Sequence, residues 1–178
     1  MRTKHLLKMK TFKKLVLILT VTMVSFASTS CSKDDDVPKK ESKLVGTWEL
    51  TTFSANLEVF IDGKAAGTTI VTGKDYNTTL TLTENPNKAT QVGAIPYTAV
   101  TNVNGLIIDS EDVFDGLIPA NSTWTEKNNK IVFVDSEITF EVLESTETTL
   151  KYQFIIDGTG QGADGAIKGP YIFTYKKK

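Results

Sequence analysis

Beyond its first thirty residues the 178-residue chain has no histidine and no arginine. Its one cysteine, Cys31, stands at that junction. His5 and Arg2 both lie in the leading segment. Once that segment is removed, a Ser-His-Asp or Cys-His centre, a His or Cys zinc site and an intrachain disulfide are all excluded. Long apolar runs are also scarce. The longest, Leu15–Phe26, falls short of the ~20 residues a helix needs to cross a bilayer. Basic charge is in deficit from Cys31 onward, with 14 Lys against 21 acidic residues and a net charge of −7. An acidic body without arginine is a poor partner for nucleic acid. No enzyme, cofactor or metal is expected of it.

What is present begins with an address. Six basic residues and no acid precede the apolar run, and the small residues Ala27-Ser28-Thr29-Ser30 lead into Cys31. This is the pattern of a secretory signal over residues 1–30, with Met1 or Met9 as its start. Small residues before a lone Cys resemble the lipobox of bacterial lipoproteins. Ser32-Lys33-Asp34-Asp35-Asp36 resembles the acidic tag that follows the lipidated Cys in surface-exposed lipoproteins of the Bacteroidetes type. The resemblance implies acylation of Cys31 and an outer-membrane location facing the cell surface, with the periplasmic face as the alternative. Acyl chains bring ~0.8 kcal/mol of membrane affinity per buried methylene. Residues 31–43 then form a charged, aromatic-free tether that cannot bury enough surface to order itself.

From Leu44 to Lys178 the pattern is that of one all-β domain: short alternating runs, abundant Thr and almost no helical periodicity. Leu44–Ser54 opens it, and Asn56–Ile61 alternates ahead of an Asp62-Gly63 turn. Strands follow at Thr69–Thr72 and Asn77–Thr83, then an Asn85-Pro86-Asn87 turn. Tyr97–Val103 and Leu106–Ile108 flank Asn104-Gly105, the strongest hairpin signal in the chain. Residues 109–121 read as the longest irregular stretch, with one short helical turn near Asp112–Leu117. Ser122–Glu126, Ile131–Val134, Ile138–Leu143, Thr148–Ile156 and Gly169–Lys176 complete the set.

In the hairpin closed by Ser145-Thr146-Glu147, Phe140 is expected opposite Tyr152 and Glu141 opposite Lys151, so that both faces agree. The carboxylates then lie on a wet face, which argues against a paired-acid hydrolase there. About ten short antiparallel strands leave a closed barrel or a sandwich. A meander of hairpins favours the barrel, because closure removes exposed edges.

Leu44-Val45-Gly46-Thr47-Trp48-Glu49-Leu50 resembles the Gly-x-Trp first strand of lipocalins, above all the lipocalin-like domains of bacterial lipoproteins. Ser122-Thr123-Trp124-Thr125 with Asn129-Lys130-Ile131, and Ile138–Leu143 with Thr148–Tyr152, resemble further units of that family. The resemblance implies a barrel of about eight strands whose interior holds one small apolar or amphipathic ligand. The arginine that lipocalins lay over the first-strand tryptophan has no counterpart, and Lys176 is the candidate replacement.

Trp48 and Trp124 read as core plugs first and ligand contacts second. Asp109, Asp112 and Asp115 crowd the 109–116 segment, where an acidic loop at the barrel mouth or a calcium site through carboxylate oxygens is the choice. The Gly-rich stretch 157–165 reads as a rim loop, since a phosphate cradle needs a following helix. Asn77-Thr78-Thr79 and Asn121-Ser122-Thr123 match the glycosylation triplet by coincidence. Two functions fit: an anchored, non-enzymatic binder of a small apolar ligand, or an accessory lipoprotein that contacts a protein or glycan through 109–121 and 157–165.

Overall fold

The computed structural model describes residues 42–159 and 165–178. The signal peptide, Cys31, most of the tether and residues 160–164 of the Gly-rich stretch lie outside the described residues. Eleven antiparallel strands run β1 (Gly46–Ile61), β2 (Lys64–Gly73), β3 (Thr79–Thr83), β4 (Lys88–Val92), β5 (Ile95–Val103) and β6 (Leu106–Phe114). They continue with β7 (Ser122–Lys127), β8 (Lys130–Phe133), β9 (Ile138–Ser145), β10 (Thr149–Asp157) and β11 (Ala166–Lys177).

Eight of these strands close a ring in the order β1-β3-β4-β7-β8-β9-β10-β11, and β11 returns to β1. The chain is therefore an all-β closed barrel, consistent with the lipocalin-like architecture. The other three, β2, β5 and β6, continue the sheet outward from β1 as a wing. The meander is interrupted in three places. β3 pairs with β1 rather than β2, β5 returns to β2, and β7 returns to β4.

The long first strand makes both parts possible. One edge of β1 pairs with β11 from Trp48 to Phe60. On the other edge, Gly46–Glu49 pairs with β3 and Ser54–Ile61 with β2. The expected break between Leu44–Ser54 and Asn56–Ile61 is instead a phase slip within one strand. Trp48 and Leu50 are buried, Thr51 and Thr52 are both exposed, and burial resumes at Phe53, Ala55 and Leu57. A register shift against β11 falls at the same place, between Leu50 and Thr52. A bulge adds one residue and reverses which parity points inward.

The core is an aromatic ladder that crosses strands. Phe133 packs edge-on against Phe140 (ring centroids 5.4 Å apart), Phe140 against Tyr152 (4.6 Å), Tyr152 against Phe173 (5.2 Å) and Phe173 against Phe53 (4.9 Å). Leu50, Leu80, Leu82, Ile131 and Leu150 fill the spaces between them. Tyr152 donates its hydroxyl to Tyr175 at 3.0 Å, so the buried polar ends satisfy one another.

Two sequence expectations are corrected, and one strand, β4, has no counterpart among them. Residues 109–114 are not irregular or helical but the second half of β6, paired with Ile95–Val100. Every residue from Leu106 to Val113 is exposed, so the alternation that marks a strand is missing. β4 carries a single buried apolar residue, Ala89, too little for a strand signal. In the β9–β10 hairpin, Tyr152 pairs with Val142 and Gln153 with Glu141, while Lys151 pairs with Glu144. Leu143 is left over as a bulge, and Thr146 closes the turn by accepting the Thr149 N–H at 2.9 Å. The slip is two residues through the body of the hairpin, so Phe140 and Tyr152 still share the inner face.

At the upper end of the barrel β11 crosses β1 closely. A Cβ on Gly169, whose φ is +150°, would lie 2.7 Å from the Asn56 carbonyl oxygen. Phe173→Ala is expected to cost about 3–5 kcal/mol by opening the ladder, and Gly169→Ala about 1–3 kcal/mol by overpacking. Urea unfolding measures both, and a Phe173→Ala midpoint equal to wild type would remove the ladder from the core.

Candidate functional site

The tryptophans are structural. Trp48 is fully buried and its indole N–H donates to the Leu44 carbonyl at 2.8 Å. Trp124 is 2% exposed and donates to the Thr83 carbonyl at 2.9 Å. The cation above Trp48 is Lys177 rather than Lys176, with Nζ 5.3 Å from the ring centroid. Strand parity requires this. Tyr175 faces inward, so Lys177 shares its face, while Lys176 lies on the other face opposite Glu49.

The acids do not converge. Asp109 lies opposite Val100 and Asp112 opposite Tyr97 on β5. Their odd separation along one strand puts them on opposite faces of the wing. Asp115 follows the end of the strand. The loop or calcium reading of 109–116 is therefore replaced by an edge strand with acids on both sides. Among the described residues, no three His, Cys, Asp or Glu side chains are grouped to hold a metal ion.

What the topology does assemble is an aromatic junction between barrel and wing. One inward row of the sheet reads Ser110, Ala99, Val71, Ala55, Tyr171, Phe154 across β6, β5, β2, β1, β11 and β10. Ser110, Ala99 and Ala55 are small and Val71 is short, which allows the wing to curl over its inner face. Phe114, at the end of the outermost strand, then reaches Tyr171 on β11, with ring centroids 6.0 Å apart. Phe53 lies beneath both, stacked on Tyr171 at 5.8 Å and 5.3 Å from Phe114, with Tyr97 edge-on at 6.2 Å. Below Tyr97, Gly73 leaves room for Tyr76, whose hydroxyl donates to the Gly73 carbonyl at 3.0 Å.

Phe53 is buried, whereas Tyr97, Phe114, Phe154 and Tyr171 are half-buried. They leave ring surface accessible in an otherwise packed structure. The Tyr97 hydroxyl is pushed above its usual range by burial and then by the Asp112 carboxylate, and burial does the same to Tyr171. Both remain neutral donors at physiological pH. Sequence reading missed Tyr97 and Phe114 as site residues because Phe114 fell in the stretch taken as irregular. The period-two run Tyr171-Phe173-Tyr175 was the available signal. A shallow open groove of about 320 Å³ also runs along β5 and β6, lined by Thr98, Ala99, Val100, Asp109, Ser110 and Glu111.

At the rim, Asp157 at the end of β10 bonds Lys168 of β11 at 2.8 Å and accepts the Thr159 hydroxyl at 2.6 Å. Comparison with protein-family models, with curated proteins and with solved structures finds no match for this chain.

The Lys168 and Thr159 bonds lower the Asp157 pKa from 3.8 to about 2. Because the folded value is depressed, this contribution to stability is complete above pH 3.8 and fades as the pH falls through about 2. A carboxyl-carbon NMR titration is expected to show that midpoint, and Lys168→Ala to move it back toward the ordinary value. An unmoved midpoint in the variant would contradict the rim contact.

Proposed function

We propose that this chain is a lipid-anchored, non-enzymatic lipoprotein of the outer membrane, facing the cell surface, whose barrel domain binds a small apolar or amphipathic molecule. The anchor rests on the sequence: the signal pattern, lone Cys31 and the acidic tag behind it. The observation that carries the binding role is the half-buried ring cluster of Tyr97, Phe114 and Tyr171 over Phe53. The lower barrel is filled by Trp48, Trp124, Phe133, Phe140, Tyr152 and Tyr175. The ligand therefore belongs at the junction with the wing, not around the tryptophans. Flat apolar molecules suit exposed ring faces, and two neutral phenols supply polar contacts for an amphipathic one.

A second reading, an accessory lipoprotein that contacts a protein or glycan through its periphery, is favoured by the exposure of β6 along its length. In this reading the contact surface is a strand edge rather than the loop expected at 109–121.

Two measurements test the proposal. Cys31→Ala is expected to abolish labelling by an alkyne fatty acid and to leave the chain unanchored. N-phenyl-1-naphthylamine is expected to bind the purified domain, and Tyr171→Ala or Phe114→Ala to weaken it about tenfold or more, the worth of one well-packed ring contact. Trp48→Phe is expected to leave probe affinity unchanged. No saturable binding, or sensitivity to Trp48 instead of Tyr171, would contradict the junction site.

A further inference from the structure

We infer that the free edge of β6 is a strand-addition site for an extended segment of another protein, carrying lysine or arginine opposite Asp109 and Asp112. This is independent of the ligand proposed for the aromatic junction.

The argument starts with the hydrogen bonds of β5. The Lys74 N–H donates to the Pro96 carbonyl at 2.6 Å, and the Asn104 N–H donates to the Ala66 carbonyl at 3.0 Å. Even-numbered residues of this segment thus face β2, and odd-numbered ones bond to β6. Their partners there are Leu106, Ile108, Ser110, Asp112 and Phe114. Antiparallel pairing alternates, so Ile107, Asp109, Glu111 and Val113 direct their N–H and C=O groups away from the sheet. The position of one confirms the parity: the Val113 N–H is held by the Asp112 carboxylate at 2.8 Å. Among the described residues nothing bonds the N–H groups of Ile107, Asp109 and Glu111.

Side chains along this edge set the chemistry of the partner. Leu106 and Ile107 are 64% and 63% exposed and Ile108 is 49% exposed, three consecutive apolar residues covering both faces. Glu111 already has a cation, Lys74, at 2.7 Å. Asp109 on the outer face and Asp112 on the inner face have none among the described residues. An antiparallel partner therefore needs apolar residues opposite Leu106–Ile108 and one cation opposite each of these two acids.

A second copy of this chain fits poorly in a register that pairs the whole edge. In the twofold antiparallel register centred on Ser110, Asp109 would lie opposite Glu111, and like charges facing each other across a ladder repel. The edge is charged against itself but open to a basic segment, which is the difference in affinity that specificity requires. Main-chain bonds supply the attachment and alternate side chains the selection.

The probe is a synthetic peptide, Thr-Val-Lys-Thr-Thr-Lys-Val-Ile-Val, complementary to residues 106–114 in antiparallel order. With the processed domain it is expected to bind and to slow amide exchange at Ile107, Asp109 and Glu111. Replacing both peptide lysines with glutamate is expected to weaken binding about tenfold or more, and Asp109→Asn in the protein to weaken the lysine peptide several-fold, in line with close charge pairs at interfaces. Unchanged Tyr97 and Phe114 resonances in Asp109→Asn keep loss of folding separate from loss of binding. Equal affinity for both peptides, no protection at these three amides, or the same protection from raising protein concentration alone would overturn the inference. The last result would assign the edge to a second copy.

Discussion

The structure depends on one constraint, that β1 is long enough to serve barrel and wing at once. Its first four residues complete a barrel with β3, and its second half carries β2 and through it the whole wing. β11 runs alongside for nearly the entire length and pairs with both halves, one residue out of step between them. The bulge at Thr51–Thr52 is the structural cost of that arrangement. It moves the inward face from the parity of Trp48 and Leu50 to that of Phe53, Ala55 and Leu57. Without it, the wing half of β1 would present its polar side to the core.

From that strand outward, the aromatic ladder joins barrel and wing into one packed unit. Phe53 is the shared rung, touching Phe173 in the barrel, Phe114 and Tyr97 in the wing, and Tyr171 between them. The seam at β4–β7 shows how little main-chain pairing the ring needs where side chains span it. Only Lys88–Thr123 and Ala89–Ser122 pair there. Lys88 Nζ donates to the Thr123 hydroxyl at 2.9 Å and Asn87 Nδ2 to the Trp124 carbonyl at 3.3 Å. Asp135 accepts the Thr123 N–H at 2.5 Å, and that bond chiefly lowers its pKa. The wing strands β5 and β6 leave the chain between β4 and β7, so the weakest seam of the ring lies where the sequence departs to build them.

Much of this was written in local chemistry. Asp62-Gly63, Asn104-Gly105 and Asn128-Asn129 stand at hairpin turns, and six of these positions have the positive φ that their residue types tolerate. Trp48, Trp124 and the Tyr171-Phe173-Tyr175 run pointed inward as alternation required. What stayed hidden had physical reasons. β6 is exposed on both faces, so it has no apolar period, and its acids looked like a loop. The β9–β10 register turned on a bulge at Leu143 and a hydroxyl-closed turn at Thr146, neither of which periodicity records. The aromatic junction was invisible because it needs the order of the sheet, in which β5 returns to β2, to bring Phe114 beside Tyr171. Lys177 over Trp48 was legible and was missed by one residue, since counting by two from Tyr175 reaches it.

The claim that β1 and β11 hold the whole domain together is tested most directly by native-state amide hydrogen exchange. Global stability should be read out by the amides of Trp48, Leu50, Phe53, Ala55 and Leu57 and by their β11 partners, which exchange last, while those of β5 and β6 open at lower free energy. If the β5–β6 hairpin proved as slow as β1, or if β1 and β11 exchanged early while β7–β9 stayed protected, the shared strand would not be what the fold depends on.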